Sequence, residues 1–145
     1  DVYVPSPNGV TTSVYLLLRE LRRMGHEAWV IAPAHPEAPE NEEGVARVPS
    51  VAYPFYEGQQ IALPSARHLP TEFELVHTHT PLTLGVWGLR IARNKNLPHV
   101  STFHTHYEKY AHYVPGLAFL DKYTGIVPRL AKAFYNPVEV VIAPT

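Results

Sequence analysis

Hydrophobic positions along the chain alternate between helical and strand-like spacing. The first helical pattern starts near 11–13, where Thr and Ser suit a helix start, and it ends at Gly25. Its apolar members are Val10, Val14, Leu17, Leu18, Leu21 and Met24. An apolar run at 27–32 is typical of a strand buried on both faces. With the β-prone opening at 1–4, the pattern predicts a strand, a helix and a strand.

The rest of the chain repeats this alternation. Proline and glutamate interrupt 33–44, and 49–70 has no clean period, so both segments are predicted to be mostly irregular. Strands are predicted at 45–48, 73–79, 99–104 and 138–143, and helices at 82–94 and, as one or two short helices, before Tyr135. Alternating strands and helices indicate βαβ units. The expected fold is therefore a Rossmann-like α/β domain, with a parallel sheet covered by helices on both faces.

Composition limits the function classes without changing this picture. The chain has 145 residues, 46% hydrophobic and 17% charged, which fits one globular domain with a real core. Zero cysteines exclude disulfides, cysteine-ligated zinc and a thiol nucleophile, and favour a cytoplasmic location. No apolar run reaches the roughly 18 residues of a membrane span, and no signal-peptide pattern opens the chain. The sequence therefore predicts a chain that does not cross a bilayer.

The net charge of −1 hides an uneven distribution. Residues 1–89 contain 5 basic and 10 acidic groups, whereas 90–132 contain 7 basic and 2 acidic groups. The weak overall charge argues against broad nucleic-acid binding, and the basic segment suits either an ordinary solvated face or an anionic surface such as a membrane. Lys122, Arg129 and Lys132 lie among apolar residues at helical spacing. This stretch is expected either to face a membrane or to be a helix packed on the sheet.

Three polar segments fall where strands are predicted to end, at 7–11, 77–81 and 101–113. Ligands of parallel α/β sheets bind beyond the carboxyl ends of the strands. Asn8 and Gly9 lead into a helix N-terminus, which favours a phosphate, although a plain turn explains them equally well. His77 and His79 are two residues apart, so they project to one face of a strand, as do His104 and His106 if that strand extends far enough.

Several chemistries are compatible with these histidines. Two histidine pairs on neighbouring strands suit a transition metal, but the threonines between them indicate hydrogen bonding instead. Packing at a strand end is the simplest interpretation of His77. The segment 104–116 contains three His and three Tyr, which offer ring surface and polar tips to a sugar or a lipid headgroup. A serine-nucleophile elbow is absent from the sequence.

Taken together, these motifs resemble the N-terminal domain of the family-4 retaining glycosyltransferases, which have the GT-B fold. Asn8 stands where the family has the first glycine of a pair. The string from 103 to 113 is similar to the subgroup that glucosylates diacylglycerol at the cytosolic membrane face. The stretches that carry the resemblance are Asp1 to Pro5, Asn8-Gly9-Val10, Thr11-Thr12-Ser13, Gly25-His26-Glu27, His77-Thr78-His79-Thr80-Pro81, Thr102-Phe103-His104-Thr105 and 134–145.

The resemblance implies that residues 1–145 are the acceptor-binding half of a GT-B fold. It implies that the first strand is truncated and that a C-terminal, donor-binding domain of the same protein is missing, so the chain alone is expected to be inactive. The implied reaction is retaining transfer of a hexose from a nucleotide sugar, UDP-glucose favoured, to a lipid such as diacylglycerol. No metal and no cofactor are implied. The expected location is cytoplasmic and peripheral, at the inner face of the cell membrane.

Site residues follow from the same resemblance. The backbone at Asn8 and Gly9 is expected to contact the donor diphosphate, and His104 to stabilise charge beside the transferred sugar and the reacting phosphate oxygens. Residues assigned to the acceptor are His79, His106, Tyr107 and Tyr110. Lys122, Arg129 and Lys132 are assigned to the membrane by their helical spacing among apolar residues, and not by the resemblance. Two alternatives remain open at this stage, a histidine-metal hydrolase and a non-catalytic module that binds a sugar or a nucleotide.

Overall fold

The computed structural model describes residues 2–6, 8–39, 41–54, 60–65, 67, 69–104 and 116–143. These residues form four helices, α1 (Gly9–Arg23), α2 (Thr83–Lys95), α3 (Leu117–Thr124) and α4 (Ile126–Tyr135). The strands are β1 (Val30–Pro33), β2 (Val45–Val48), β3 (Ser50–Ala52), β4 (Gln60–Ala62), β5 (Val76–Thr78), β6 (His99–Thr102) and β7 (Val140–Ile142). Described residues fall into two compact units, one within 1–53, 57–73 and 82–84, the other within 54–56, 74–81 and 85–145.

Helix α1 forms because its first and last turns both carry local signals. The Asn8 side chain accepts a hydrogen bond from the Thr11 backbone N–H at 2.9 Å and caps the helix. Gly25 follows the helix with φ +88°, a left-handed conformation that favours glycine. Val14 and Leu18 are buried, and Val14 shares a core cluster with Tyr3 and Ala32. The predicted helix is therefore confirmed, within a residue or two at each end.

Strands β1 and β2 pair in parallel, with Val30 opposite Val45 and Pro33 opposite Val48. The structure differs from the sequence prediction in the neighbouring segments. Strands β3 and β4 form an antiparallel ladder within the stretch 49–70, which the sequence predicts to be irregular. In the opening segment, Ser6 N–H donates to the Tyr3 carbonyl at 3.1 Å and closes a turn, so 2–6 does not form the predicted strand.

Arg47 connects this opening segment to the rest of the first unit through hydrogen bonds. Its guanidinium donates to the Val4 carbonyl at 2.8 Å and to the Pro33 carbonyl at 3.2 Å, and it forms an ion pair with Glu42. The same group lies over the Tyr3 ring, 5.3 Å from its centroid. Burial and the nearby Glu42 carboxylate raise the pKa of the Tyr3 hydroxyl. One side chain of β2 therefore fixes the segment that leads to Asn8.

The second unit contains a three-stranded parallel sheet in the order β5-β6-β7. Val76 lies opposite His99, and Val100 lies opposite Val140. Strands β5 and β6 are shorter than the predicted 73–79 and 99–104, and the ladder of β5 with β6 begins only at Val76, next to Pro98. The parallel pairing in both units confirms the predicted Rossmann-like α/β class.

Helices α3 and α4 confirm the prediction of one or two short helices in this part of the chain, which ends at Tyr135. They meet at Gly125, whose φ of +60° turns the chain between them. The Asp121 carboxylate accepts a hydrogen bond from the Val127 N–H at 2.7 Å, which satisfies a donor in the first turn of α4. Val127 and Phe134 are the buried residues of α4. α4 therefore has one packed face and one exposed face.

Candidate active site

Three histidines meet at the carboxyl ends of β5 and β6. His77 Nε2 lies 2.8 Å from Thr102 Oγ1, and His79 Nδ1 lies 2.9 Å from His104 Nε2. The rings of His77 and His79 are stacked with centroids 4.3 Å apart, and those of His79 and His104 with centroids 5.2 Å apart. His77, His79 and His104 thus form one continuous stack, which we call the histidine stack.

A second hydrogen-bond network joins Thr78 of β5 with His99 and Ser101 of β6. Ser101 Oγ donates to the Thr78 carbonyl at 3.2 Å, so it accepts the proton of Thr78 Oγ1 at 2.9 Å. With that proton used, Thr78 Oγ1 must accept from His99 Nε2 at 2.9 Å. Thr78, Ser101 and His99 are all buried. Their bonds fix the first two strands of the sheet behind the histidine stack.

Burial keeps the histidine stack neutral at physiological pH. It lowers the pKa of His79 to about 3, with smaller effects from the His77 and His104 imidazoles. Burial also lowers the pKa of His77 to about 4, helped by His104 and His99, and it lowers the pKa of His104. Each ring therefore has one N–H donor and one nitrogen acceptor.

The bond between His79 and His104 admits two proton arrangements. If His79 Nδ1 donates, His104 carries its proton on Nδ1 and offers a donor to a bound molecule. If His104 Nε2 donates, its Nδ1 offers an acceptor instead. The pair is therefore suited to bind either an anionic oxygen or a hydroxyl group, according to the position of one proton.

The ring nitrogens that bond within the protein bear on the metal hypothesis. Within the ranges that the structure describes, no group of three His, Asp or Glu side chains is arranged to hold a metal ion. His77 Nε2, His79 Nδ1 and His104 Nε2 all face protein partners. His106, the second member of the predicted pair on the neighbouring strand, lies outside the described residues. In the described part of the chain, the two-pair metal site therefore has no geometric support.

Asn8 and Gly9 lie at the N-terminus of α1, in the first unit. The side chain of Asn8 is used for capping, so the groups left to a ligand are backbone N–H groups of the first turn. Gly9 is exposed, and a Cβ placed there would meet no atom within 4 Å. The helix is thus open to solvent at Gly9, and its first turn has no acidic side chain, which suits an anion.

Other residues singled out in the sequence lie on α3 and α4 or outside the described part. Lys122 lies on α3, and Arg129 and Lys132 on α4, and all three are exposed. His106, Tyr107 and Tyr110, predicted to bind the acceptor, lie outside the described residues. In the parts that the structure describes, no helix is both long and apolar enough to cross a membrane.

Sequence reasoning missed two groups of residues. Phe119 and Tyr123 of α3 are 71% and 69% exposed, with ring centroids 5.0 Å apart. The spacing of four residues between these two rings is present in the sequence. However, the sequence analysis gave no first residue for the helices before Tyr135, so it did not place the two rings on one helix. The sequence predicted hydrogen bonding by threonines such as Thr78, but it missed His99 as the partner of Thr78 and the bond of Thr102 to His77, since both depend on the pairing of β5 with β6.

Parallel strand pairs followed by helices define an α/β domain of Rossmann-like type. The chain belongs to glycosyltransferase family 4, since a model of Glycosyltransferase Family 4 matches residues 7–145. The resemblance found in the sequence is thereby confirmed.

Individual relatives agree with this assignment. The chain is 30% identical to an alpha-monoglucosyldiacylglycerol synthase of Streptococcus pneumoniae over 100% of its own length and 34% of the relative. It is 34% identical to an alpha-monoglucosyldiacylglycerol synthase of Acholeplasma laidlawii, over 96% of this chain and 35% of the relative. A GDP-mannose-dependent alpha-mannosyltransferase of Mycobacterium tuberculosis is 36% identical over 81% of this chain and 32% of the relative.

The chain spans about a third of the length of the curated relatives it matches. No solved structure matches it significantly.

Proposed function

We propose that the protein transfers a hexose, with retention, from a nucleotide sugar to a membrane lipid such as diacylglycerol. The observation that carries this proposal is the histidine stack at the carboxyl ends of β5 and β6 in a chain of glycosyltransferase family 4. Relatives named as glucosyldiacylglycerol synthases and as a phosphatidyl-myo-inositol mannosyltransferase support a lipid acceptor.

His104 is the catalytic residue in this proposal. In the transfer, the bond between the anomeric carbon and the donor phosphate oxygen breaks, and the acceptor oxygen bonds to the same face of that carbon. The acceptor proton passes to the leaving diphosphate. His104, neutral because burial lowers its pKa, donates Nδ1–H towards the separating sugar and phosphate oxygens. This role requires the arrangement in which His79 Nδ1 donates to His104 Nε2.

His79 is then a positioning residue. Its hydrogen bond to His104, at 2.9 Å, selects the tautomer and holds the ring. The sequence assigned His79 to acceptor binding, together with His106, Tyr107 and Tyr110, and in our proposal those three shape the acceptor site. The two roles of His79 are compatible, because its Nε2 is left for a hydroxyl group.

Donor binding is assigned to the first turn of α1. Backbone N–H groups at the Asn8–Gly9 turn bind the diphosphate, since the positive end of the helix dipole and the open space at Gly9 favour an anion. We favour UDP-glucose as the donor because two relatives are named for glucosyl products. Other relatives are named as GDP-mannose-dependent. Any assay should therefore compare GDP-mannose with UDP-glucose as the donor.

The decisive experiment is radiolabelled sugar transfer by the full-length protein. UDP-glucose and GDP-mannose are offered with diacylglycerol in vesicles or with water-soluble acceptors, and a labelled glycolipid is expected. Label on a water-soluble acceptor alone would exclude the lipid acceptor, and no transfer at all would overturn the proposal.

His104→Ala tests the assigned role in the same assay. Loss of an electrostatic donor is expected to lower kcat by about 100-fold or more, with folding intact. His26→Ala, at an exposed position of the first unit, is the matched control and is expected to keep normal turnover. Near-normal kcat in His104→Ala would contradict the role of His104.

A further inference from the structure

A hollow in the first unit lies far from the carboxyl ends of its strands. It has a volume of about 490 Å³ and is lined by Glu27, Trp29, Arg67, Thr71 and Glu72, with Leu69 and Pro70. Trp29 directly precedes β1, so the hollow is at the amino end of that strand. Its volume falls within the range of small-molecule binding sites, about 300–1,000 Å³.

Trp29 is an exposed aromatic residue held in place by its neighbours. The residue is 51% exposed, and its indole N–H donates to Glu27 Oε1 at 3.3 Å. The preceding residue, Ala28, is fastened to the end of α1, because its carbonyl accepts two hydrogen bonds from Arg22 at 2.9 and 3.2 Å. With its only polar group in use, Trp29 offers a ligand the apolar surface of its ring.

Polar groups of both hydrogen-bonding types surround this ring. Arg67 supplies donors and Glu72 supplies acceptors, and in the described part of the chain neither forms an ion pair. Thr71 adds a hydroxyl, which donates and accepts. The lining therefore combines the apolar surface of Trp29 with donors and acceptors that form no ion pair among the described residues.

We propose that this hollow is a second saccharide site, which binds a neutral pyranose stacked on Trp29. The C–H face of a pyranose matches the indole, and its hydroxyls match Arg67, Glu72 and Thr71 in turn. A compact cation is less suited because it would meet Arg67, and an anion because it would meet Glu27 and Glu72. A neutral ligand that carries both donors and acceptors meets no repulsion from either sign.

The proposed site is distinct from the one assigned to the donor diphosphate. Helix α1 has 15 residues, so its ends lie about 22 Å apart. Asn8 caps its first turn, whereas Arg22 and Ala28 join its last turn to the hollow. The saccharide in the hollow is therefore a bound effector, an oligosaccharide extension or a glycolipid headgroup, and not the sugar undergoing transfer.

Fluorine NMR of the full-length protein labelled with 5-fluorotryptophan tests the proposal independently of transfer. The Trp29 resonance is identified by its loss in Trp29→Phe, and methyl α-glucopyranoside and methyl α-mannopyranoside are titrated to about 100 mM. A saturable shift of that resonance is expected. No shift with either glycoside would overturn the proposal, whatever the outcome of the transfer assay.

Variants and competing solutes give the experiment its specificity. Arg67→Ala and Glu72→Ala are each expected to raise the Kd by about fivefold or more, since each removes a hydrogen bond to a hydroxyl. The matched control is Arg90→Ala, an exposed arginine on α2, with a Kd within about twofold of the wild type. Equal effects of Arg67→Ala and Arg90→Ala would contradict the site. Equal shifts with choline chloride or sodium phosphate would identify an ion site instead and overturn the saccharide.

Vesicles test whether the hollow also accepts a pyranose that is attached to a lipid. Vesicles that display a glucosyl lipid are added in place of the free glycoside. The same Trp29 shift with vesicles and with free glycoside would support pyranose recognition irrespective of source. A shift with vesicles of plain phosphatidylcholine would overturn it, because no sugar is then present.

Discussion

At the scale of single residues, burial decides the chemistry of the histidine stack. His77 and His79 have pKa values lowered to about 4 and about 3, chiefly by burial, whereas a histidine in the unfolded chain titrates near 6.5. The unfolded chain therefore binds more protons than the folded chain between these values. Because the unfolded state is favoured as protons are added, the free energy of unfolding falls as the pH drops below about 6.5.

This linkage makes a prediction for His79→Asn. The wild-type protein is expected to lose stability from about pH 6.5 towards about pH 4, by at most about 1.4 kcal/mol per pH unit for each buried histidine. His79→Asn is expected to show a shallower dependence, since one titrating group is gone. Urea unfolding of the full-length protein, followed at a 5-fluorotryptophan in position 87 on α2, measures the slope in the second unit.

An exposed histidine supplies the control for this measurement. His26→Asn is expected to leave the slope unchanged because His26 lies at the surface of the first unit. Identical slopes for wild type and His79→Asn would show that His79 does not titrate at a lowered pKa.

At the scale of elements, two glycines let α2 approach its neighbours closely, Gly88 at β5 and Gly85 at Thr80, just after β5. A Cβ at Gly85 would overlap the Thr80 carbonyl oxygen and would lie 2.8 Å from the Thr80 carbonyl carbon. A Cβ at Gly88 would lie 2.7 Å from Thr78 Cγ2. Because the Gly85 neighbour is backbone, it cannot move aside as a flexible side chain does. The position of Thr80, directly after His79, therefore depends on the absence of a side chain at Gly85.

Gly85→Ala is expected to destabilise the protein by about 1–3 kcal/mol, since overpacking forces the backbone to shift. Transfer activity is expected to fall as well, because the displaced segment carries His79. Gly9→Ala is the matched control for stability: a Cβ there meets nothing within 4 Å, and alanine is the better helix former. Urea unfolding compares the two variants. Equal stabilities would show that the backbone at Thr80 moves away from α2 at little cost.

The elements also show which features could be predicted from local sequence. Helix α1 was predictable because its apolar period and terminal glycine lie within one stretch of chain, although the residue that caps it is Asn8 and not a Thr or Ser of 11–13. The antiparallel pairing of Val51 with Ile61 was not, since it joins two strands inside a proline-rich stretch that lacks a local period. His77 and His79 share a face by the period of a strand. Their contacts with Thr102 and His104 required the register of β5 with β6, which is a long-range property.

At the scale of the whole molecule, the sequence places its excess of basic groups in the part that contains α2 to α4. Residues 90–132 contain 7 basic and 2 acidic groups. The exposed rings of Phe119 and Tyr123 lie on α3, the helix that also carries Lys122, and Leu130 on α4 is 61% exposed. Aromatic rings beside cations suit the boundary between headgroups and acyl chains. We therefore assign membrane contact in the proposed function to α3 and α4 together.

Vesicle flotation of the full-length protein tests this assignment. Each basic residue at an anionic surface contributes about 1 kcal/mol, so replacing Lys122, Arg129 and Lys132 with Gln is expected to weaken binding to anionic vesicles by about 100-fold. The matched control replaces three basic residues of α2, Arg90, Arg93 and Lys95, and is expected to weaken binding far less because those residues lie on another helix.

Phe119→Ser with Tyr123→Ser is expected to reduce binding to neutral and anionic vesicles alike, since it removes apolar contact. Equal binding of the wild-type protein to neutral and anionic vesicles would exclude the electrostatic part. Equal losses in the two triple variants would show that charge acts through the whole basic segment, and not through a surface formed by α3 and α4.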